Sequence, residues 1–369
     1  MSIQKTWAII GGGNGGQSMA GHLGILGQKV RLFDVVPKTV DALNAKGSIT
    51  VTNAMDGEGK LEFATTDMGK AMEGADNVIL VLPSLFHESI ARRMVPHLKD
   101  GMTVLLHPEA SCGAISFRKV MKEMGCTANV VVGAACTLLY ATRIIENGTV
   151  EIYGVKDAVP IAALPASDNA RLEEAICGVM PWFKIVNNVL ETSLDNLNAM
   201  MHPAPMLLNT SRIEADPFVP FQYYLDGITP SIGKFVETMD LERVAIADQL
   251  GIKQRTICQQ YLDMYTGCGK EGDPLYMLAK NNPGYKGIMG HNHLNTRYVM
   301  EDIPYSLVAL QAIAQVVGVA TPCMDAIINI GRSIYNGANG FQQMDEGRTV
   351  KALGLEGMDK EALLKFIMG

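Results

Sequence analysis

The second half of the chain contains a histidine and an Arg–Asp pair whose types suit proton transfer to a carboxylic-acid substrate. His202 has an imidazole, which ionises near neutral pH and can donate a proton and recover it. Asp302 can accept a hydrogen bond from one ring nitrogen, which fixes the tautomer while the other nitrogen faces the substrate. Arg297 lies shortly before Asp302 and can form a two-pronged pair with a carboxylate. These residues predict an acid–base site.

Both members of the predicted pair also have a structural explanation. His202 precedes Pro203 and Pro205, so taken by itself it fits the end of a helix better than a catalytic role. Asp302 equally fits the N-cap of a helix, because Pro304 follows it. Spacing alone therefore leaves both interpretations open.

Four other histidines fit the acid–base role less well. His107 ends a predicted strand, so a role beside a cofactor is open to it. His291 and His293 have the spacing of metal ligands, but no cysteine or carboxylate cluster accompanies them. We expect a solvated loop without a metal there. His22 is predicted to pack or face solvent near the start of the chain.

A glycine-rich segment in the first half has the pattern of a dinucleotide site. Gly11, Gly13 and Gly16 form Gly-x-Gly-x-x-Gly between a predicted strand and a predicted helix. The first glycine permits a tight turn, the second lets a pyrophosphate approach the backbone, and the third lets the helix pack on the strand. Asn14 and Gly15 complete the loop at the helix N-terminus, which would present N–H groups to the phosphates. The segment predicts a cofactor site.

The residue after the second predicted strand indicates which cofactor binds. Asp34 lies close to the spacing expected for a ribose-binding carboxylate, which accepts hydrogen bonds from a 2′-hydroxyl but repels a 2′-phosphate. NAD is therefore favoured over NADP. NADP remains the alternative, because the cations Arg31 and Lys38 lie near Asp34 in the sequence. Leu82 and Pro83 end a later strand and are predicted to border the cofactor, with a plain turn as the alternative.

Strand and helix patterns alternate through the first half of the chain. This alternation is typical of βαβ units and a parallel sheet. We expect a dinucleotide-binding domain over residues 1–190. Its predicted strands are Thr6–Ile10, Lys29–Phe33, Asn77–Leu82, Met102–Leu106, Asn129–Gly133 and, less regularly, Thr149–Val155.

Long apolar-periodic segments dominate the second half, where strand patterns are scarce. A helical domain is therefore expected over residues 191–369, and a small substrate would bind in the cleft between the two domains. The predicted helices are Ser193–Met201, Ile232–Leu250, Thr256–Met264, Ser306–Val317 and Met324–Ile334.

Composition excludes several classes of function. The chain has 369 residues and a formal net charge of −7, and it has no long basic run, which argues against nucleic-acid or membrane binding. Its seven cysteines include no Cys-x-x-Cys pair, which favours free thiols in a reducing compartment. The N-terminus does not resemble a signal peptide. Ile303–Met324 lacks charge but contains two prolines, which favours two buried helices. We expect a cytoplasmic protein.

Several segments together resemble the octopine/nopaline (opine) dehydrogenase family, and the resemblance covers most of the chain. The His-Pro-Ala-Pro sequence after residue 201 and the Arg-x-x-x-x-Asp spacing after residue 296 are the most specific elements. The glycine loop is shared with many reductases. The segments are Gly11–Gly16, Val81–Ala91, Thr137–Arg143, His202–Glu214 and Arg297–Tyr305.

This resemblance implies an α/β Rossmann-like N-terminal domain and an all-α C-terminal domain like that of 6-phosphogluconate dehydrogenase. It also implies reductive condensation of an amino-acid amine with a 2-oxo acid such as pyruvate, using NAD(P)H. His202 would be the acid/base, Asp302 its orienting partner and Arg297 the carboxylate clamp, while Thr137 would line the substrate site. Relatives often have an acidic residue shortly before that threonine, but this chain has apolar residues at 133–136.

Two other functions remain open at this point. One is a 2-oxo acid reductase related to ketopantoate reductase or glycerol-3-phosphate dehydrogenase. Such enzymes commonly rely on a lysine, and no lysine here stands in an evidently equivalent motif. The other is a non-catalytic NAD-binding sensor. A homodimer is an expectation from the apolar content of the helical domain alone.

Overall fold

The computed structural model describes residues 4–338 and 340–369, and the chain divides into two compact units. Unit 1 extends to Ser193 and includes Lys365–Gly369, and unit 2 is Leu194–Leu364. The sequence predicted a division between residues 190 and 191. The observed division lies slightly later, and the last five residues, predicted to belong to the second domain, lie in unit 1.

The largest sheet of unit 1 has the order β12-β11-β8-β7-β6-β1-β2-β5. From β8 to β5 all neighbouring strands are parallel, and β11 joins β8 antiparallel. The strands are β1 (Thr6–Ile10), β2 (Lys29–Phe33), β3 (Ser48–Asn53), β4 (Gly57–Lys60), β5 (Phe63–Thr65), β6 (Asn77–Leu80), β7 (Thr103–Leu106), β8 (Val131–Ala135), β9 (Tyr140–Glu146), β10 (Thr149–Val155), β11 (Val159–Leu164) and β12 (Phe183–Ile185).

Burial explains why the central strands have unbroken apolar sequences. Trp7, Ala8, Ile9 and Ile10 of β1 are each fully buried, so both faces of the sheet are covered. The predicted parallel sheet is confirmed. The predicted strand at 129–133 is displaced to β8, because the backbone N–H of Asn129 donates to Asp100 Oδ1, in the turn before β7, instead of joining the sheet.

A second sheet, of order β4-β3-β10-β9, packs against the first helix of unit 1. Only β10 was predicted from sequence. β4 is short and has two glycines and two charged residues among its four positions, so it lacks an alternating apolar pattern.

The helices are α1 (Asn14–Ile25), α2 (Pro37–Lys46), α3 (Met68–Met72), α4 (His87–Met94), α5 (Gly113–Glu123), α6 (Asn169–Leu172), α7 (Val189–Leu194), α8 (Asn198–Met201), α9 (Pro203–Leu208), α10 (Thr210–Ile213), α11 (Tyr223–Gly227), α12 (Pro230–Gln249), α13 (Ile257–Met264), α14 (Leu275–Asn281), α15 (Arg297–Met300), α16 (Val308–Val317), α17 (Pro322–Ile334), α18 (Val350–Leu353) and α19 (Lys360–Met368). Short 3-10 helices cover Ser84–Phe86, Val95–His97, Ala166–Asp168 and Pro283–Tyr285. π-helical turns cover Glu173–Cys177 and Ile303–Leu307.

Unit 2 is helical, as predicted, but one predicted helix is wrong. The segment 193–201 is interrupted between α7 and α8, because the Asn196 side chain accepts a hydrogen bond from the backbone N–H of Asn198 at 3.2 Å and forms a turn.

The charge-free segment Ile303–Met324 contains a π-helical turn, α16 and the start of α17, in agreement with the prediction of two helices. Among residues 4–338 and 340–369, none of the helices combines the length and apolarity that a membrane span needs.

Candidate functional site

The glycine loop of unit 1 brings β1 and α1 into direct contact. Gly11 has a φ of +116°, and a Cβ there would lie 2.4 Å from the carbonyl oxygen of Val81. A Cβ on Gly16 would lie 1.7 Å from the carbonyl oxygen of Gly11. Both positions therefore require glycine, and the close approach of helix and strand that the motif predicts is present.

Gly13 borders open space at the start of α1. It is the N-cap residue, its backbone is extended, and no side chain caps the helix there. A Cβ on Gly13 would meet no atom of the described residues within 4 Å. The first-turn N–H groups of a 12-residue helix therefore face a space that a phosphate can enter. The loop fits a dinucleotide pyrophosphate.

Alanine substitutions at these two glycines should separate folding from cofactor binding. Gly13→Ala should leave the Tm unchanged but weaken NADH binding about tenfold or more, because its Cβ enters the phosphate space. Gly16→Ala should lower the Tm as well, because its Cβ overlaps the backbone of Gly11. Thermal unfolding and NADH fluorescence titration measure both effects. Wild-type NADH affinity in Gly13→Ala would show that the pyrophosphate binds elsewhere.

Asp34 is held against the glycine loop. Its Oδ2 accepts from the Gly12 N–H at 2.6 Å, and its Oδ1 accepts from the Val36 N–H at 2.8 Å. The carboxylate therefore lies at the carboxyl end of β2, where a ribose-binding acid is expected. Arg31, one of the two cations that kept NADP open, donates to Glu62 at 2.8 Å. Lys38 is exposed in the first turn of α2.

The other predicted cofactor residues lie around the same loop. A Cβ on Gly11 would lie 2.8 Å from Leu82 Cδ2, so Leu82 borders the loop, and Pro83 follows it as the chain leaves the sheet. The Asn14 side chain accepts a hydrogen bond from the Ile144 N–H at 2.9 Å. Gly15 lies against two apolar side chains, Val81 and Leu138. The Asn14 Oδ1 is thus already engaged within the protein, and the backbone of Asn14 and Gly15 lies at the start of α1.

His107 and Thr137 lie at the carboxyl ends of β7 and β8. His107 Nε2 accepts a hydrogen bond from the Leu139 N–H at 2.8 Å. Burial, together with the charge of Lys156, lowers the pKa of His107 to about 3, so the ring is neutral and carries its proton on Nδ1. Thr137 Oγ1 accepts from the Lys156 ammonium at 2.7 Å. Sequence reasoning missed Lys156, which no motif marks.

The structure brings His202 and Asp302 of unit 2 together. His202 Nδ1 lies 2.8 Å from Asp302 Oδ2. His202 lies between α8 and α9, where Pro203 begins the second helix, and its carbonyl oxygen accepts from the Tyr223 hydroxyl at 2.7 Å. Asp302 lies just before the π-helical turn that begins at Ile303. Side chains 100 positions apart thus form the predicted hydrogen-bonded pair.

Burial and the neighbouring imidazole shift the pKa of Asp302 in opposite directions. Burial raises the pKa of its carboxyl group, while the charge of His202 and the hydrogen bond from its ring lower it, and the net direction is upward. A buried carboxylate without a charged partner is costly. An ionised Asp302 therefore depends on the hydrogen bond from the imidazole for its stabilisation.

Tyr298 and Tyr224 fix the imidazole further, and neither was predicted. The ring of Tyr298 stacks on His202, with centroids 3.7 Å apart and planes within 2°. The Tyr224 hydroxyl lies 3.1 Å from His202 Nε2, the nitrogen that we expected to face the substrate. That expectation is corrected: a phenol occupies this position in the structure. Burial raises the pKa of Tyr224 well above its usual value, so the hydroxyl remains neutral.

Other aromatic residues surround the pair. Tyr224 stacks on Tyr285 at 3.9 Å between centroids, and the hydroxyl of Tyr285 lies 2.7 Å from that of Tyr261. The ring of His291 meets Tyr298 edge-on at 5.1 Å. Burial lowers the pKa of His291, with smaller contributions from the charges of His293 and His202. The loop of His291 therefore lies close to the acid–base pair.

Arg297 opens α15 and remains largely accessible. Its Nε pairs with Glu301, one helical turn later, and 67% of the arginine side chain is exposed against 10% of the glutamate. The ion pair orients the guanidinium, and sequence analysis had not identified Glu301 as its partner. An exposed, oriented guanidinium can form a bidentate pair with a carboxylate.

Comparison with known proteins places relatives across the whole chain. A family model described as NAD/NADP octopine/nopaline dehydrogenase, alpha-helical domain, matches residues 185–335. Another, described as the N-terminus of NAD-dependent glycerol-3-phosphate dehydrogenase, matches residues 6–109. An opine dehydrogenase from Arthrobacter sp. (strain 1C) is 37% identical over 359 residues, which cover 97% of each chain.

Solved structures share the fold. A structure of octopine dehydrogenase in complex with NADH and agmatine is 23% identical, covers 98% of each chain and has a TM-score of 0.81. An NADP+-bound yersinopine dehydrogenase is 12% identical, with a TM-score of 0.73 over 99% of this chain and 98% of that one. The predicted combination of a Rossmann-like domain and a helical domain is confirmed.

Proposed function

The chain belongs to the octopine/nopaline dehydrogenase family, NAD(P)-dependent oxidoreductases that act on CH–NH donors, and we propose that His202, Asp302 and Arg297 carry out its reaction. That reaction is the reductive condensation of an amino acid with a 2-oxo acid, pyruvate being one such acid. The hydrogen bond between His202 Nδ1 and Asp302 Oδ2 is the observation that carries this assignment, because it joins two distant residues into one acid–base unit.

His202 moves one proton during the condensation, from the amine substrate to the leaving water. His202 accepts a proton from the ammonium of the amino acid at Nε2, where the substrate takes the place of the Tyr224 hydroxyl. The freed amine attacks C2 of the oxo acid. His202 then donates that proton to the hydroxyl of the carbinolamine, which leaves as water and gives an iminium ion. Asp302 stabilises the imidazolium between these two transfers. Bound NADH would supply the hydride that reduces this iminium ion to a secondary amine.

Tyr224 is a positioning residue in this scheme. Its neutral hydroxyl can donate to Nε2 of a neutral imidazole and accept from Nε2–H of an imidazolium. Asp302 holds the other ring nitrogen, and stacking on Tyr298 fixes the plane of the ring. Asp302 and Tyr298 therefore hold the imidazole in one orientation while Nε2 exchanges the Tyr224 hydroxyl for the substrate.

Arg297 is proposed to bind the carboxylate of the oxo acid. Its guanidinium is exposed and oriented by Glu301, and a carboxylate matches its two-pronged donor geometry. Thr137 is proposed to contact the substrate from the carboxyl end of β8.

Asp34 is expected to make NADH the better cofactor. Because the carboxylate repels a 2′-phosphate, kcat/KM should be higher with NADH than with NADPH. Asp34→Asn should lower the ratio of kcat/KM with NADH to kcat/KM with NADPH by about tenfold or more. The amide oxygen can still accept from the Gly12 N–H, so the loop should persist. Asp41→Asn, an exposed carboxylate on α2, is the control and should leave the ratio unchanged. A wild-type preference for NADPH would contradict this assignment.

The cellular setting and assembly are also part of the proposal. The seven cysteines are free, which supports a reducing, cytoplasmic compartment. The apolar content of the helical half supports a homodimer. We propose residues 1–190 as the cofactor-binding domain and residues 191–369 as the substrate-binding and catalytic domain.

An NADH-oxidation screen tests the proposed function. It should cross a panel of amino acids with pyruvate, glyoxylate and 2-oxoglutarate, and detect products by mass. NADH oxidation that requires both an amine and an oxo acid is the expected result. Oxidation with the oxo acid alone would favour a 2-oxo acid reductase. NADH binding without oxidation in any combination would favour a non-catalytic sensor.

A further inference from the structure

A lysine at the carboxyl edge of the parallel sheet in unit 1 has no role in the reaction described so far. β8 ends at Ala135, and Thr137 follows it at the edge where open parallel sheets bind ligands. The Lys156 ammonium donates to Thr137 Oγ1 at 2.7 Å. Leu138, next to Thr137, would lie 2.9 Å from a Cβ on Gly15, so this segment borders the glycine loop. The Lys156 ammonium is therefore close to the glycine loop that is expected to bind the cofactor.

Backbone pairing fixes Lys156 in place. Its N–H donates to the carbonyl oxygen of Leu139 at 3.0 Å, at the end of the hairpin where Val155 pairs with Tyr140. The N–H of Leu139 donates to the buried, neutral ring of His107. The lysine is thus attached to the ends of β7 and β10 and does not lie on an independent loop.

The Thr137 hydroxyl completes the arrangement of donors. Its oxygen accepts the bond from Lys156, so its own hydrogen is a donor to a further acceptor. An ammonium and a hydroxyl beside each other match the two oxygens of a carboxylate. Residues 133–136 before Thr137 are apolar or small, so this stretch of chain adds no negative charge.

The charges of the proposed product require a second cation. The product has two carboxylates, one from each substrate, and Arg297 is assigned to the one from the oxo acid. The protein has a formal net charge of −7, so anions must be held by local cations. Lys156 supplies a local cation next to a substrate-lining threonine.

We propose that Lys156 and Thr137 form a subsite for the α-carboxylate of the amine substrate. One ammonium hydrogen donates to one carboxylate oxygen, and the Thr137 hydroxyl donates to the other. This subsite makes the amine substrate an amino acid and disfavours the corresponding simple amine. The inference rests on the proposed function and deepens it.

Kinetics with matched amines test the subsite. An amino acid and its decarboxylated counterpart, such as alanine and ethylamine, are compared in the wild type and in Lys156→Met. The variant should lose about 10- to 100-fold in kcat/KM for the amino acid, through KM, because a charge-assisted pair is lost. Activity with the simple amine should change less than about twofold, and Lys156→Arg should restore part of the loss.

Lys46→Met is the matched control. Its ammonium also donates to a threonine hydroxyl, Thr50 Oγ1 at 2.7 Å, and to the carbonyl oxygen of Gly148 at the opposite end of the β9–β10 hairpin. It should leave the KM for the amino acid unchanged. An equal loss with both amines in Lys156→Met, no loss at all, or a loss confined to NADH affinity would each overturn the subsite.

Calorimetry separates failure of the subsite from failure of the proposed function. Binding of a secondary-amine dicarboxylate to the NAD+ complex needs no turnover and should weaken in Lys156→Met. If the wild type shows no condensation activity but binds the dicarboxylate more tightly than Lys156→Met does, the proposed function is refuted and the subsite is retained. If Lys156→Met keeps both the condensation activity and the dicarboxylate affinity of the wild type, the subsite is refuted and the proposed function is retained.

Discussion

Replacing His202 with alanine is expected to lower kcat/KM for amine-dependent NADH oxidation by about 10²- to 10⁴-fold. The imidazole is the group assigned to move the proton between ammonium and leaving hydroxyl, and its buried partners, Asp302 and Tyr224, cannot replace it. NADH affinity should persist, because the glycine loop and Asp34 lie in unit 1 and His202 lies in unit 2. Steady-state kinetics and NADH fluorescence titration measure the two quantities.

Two further variants keep this prediction specific. His202→Gln fills more of the space beside Tyr298 and should be as inactive as the alanine variant. His97→Ala removes a histidine at the end of a 3-10 helix in unit 1 and should retain full turnover. Turnover that survives in both His202 variants, or a loss of NADH binding with a normal Tm, would contradict the role assigned to His202.

Replacing Asp302 with asparagine is expected to lower kcat by about 10²- to 10⁴-fold. The amide keeps the size of the side chain but has no charge to stabilise the imidazolium, and its NH₂ group can select the wrong tautomer. Burial already disfavours the charged carboxylate, so the variant should not lose thermal stability. The loss should appear in kcat, with NADH affinity unchanged.

Asp325→Asn provides the matched structural control in unit 2. Asp325 accepts hydrogen bonds from Gln311 and Thr321 near the start of α17 and contacts neither His202 nor Arg297 through a hydrogen bond in the described chain. Its amide variant should lower the Tm and leave kcat intact. Equal losses of kcat in both variants would indicate that Asp302 is needed only for folding.

The glycine loop could be predicted from the sequence because its requirements are local. A strand, three glycines at fixed spacing and a helix determine the turn, and the structure places a backbone oxygen where a Cβ on Gly11 or Gly16 would lie. Asp34 was predicted for the same reason, since one βαβ unit sets its distance from the loop. The pairing of His202 with Asp302 was predicted from chemistry and family resemblance, although 100 positions separate the two residues.

Other site residues could not be found in this way because their neighbours are set by tertiary packing. Tyr224 and Tyr298 meet His202 from α11 and α15, and no sequence spacing relates these helices. Lys156 reaches Thr137 from the end of the β9–β10 hairpin, and no sequence spacing relates that end to the carboxyl end of β8. The break between α7 and α8 was missed because an Asn side chain, and not a proline or glycine, forms the turn.

One product analysis tests the central claim most directly. The purified protein is incubated with pyruvate, an amino acid that supports NADH oxidation, and NADH deuterated at the transferable position, and the product is analysed by mass spectrometry. The expected product is a secondary amine with two carboxylates and one deuterium on the carbon derived from C2 of pyruvate, and it should not form with His202→Ala. Deuterated lactate, with the amino acid recovered unchanged, would contradict reductive condensation at the His202–Asp302 pair.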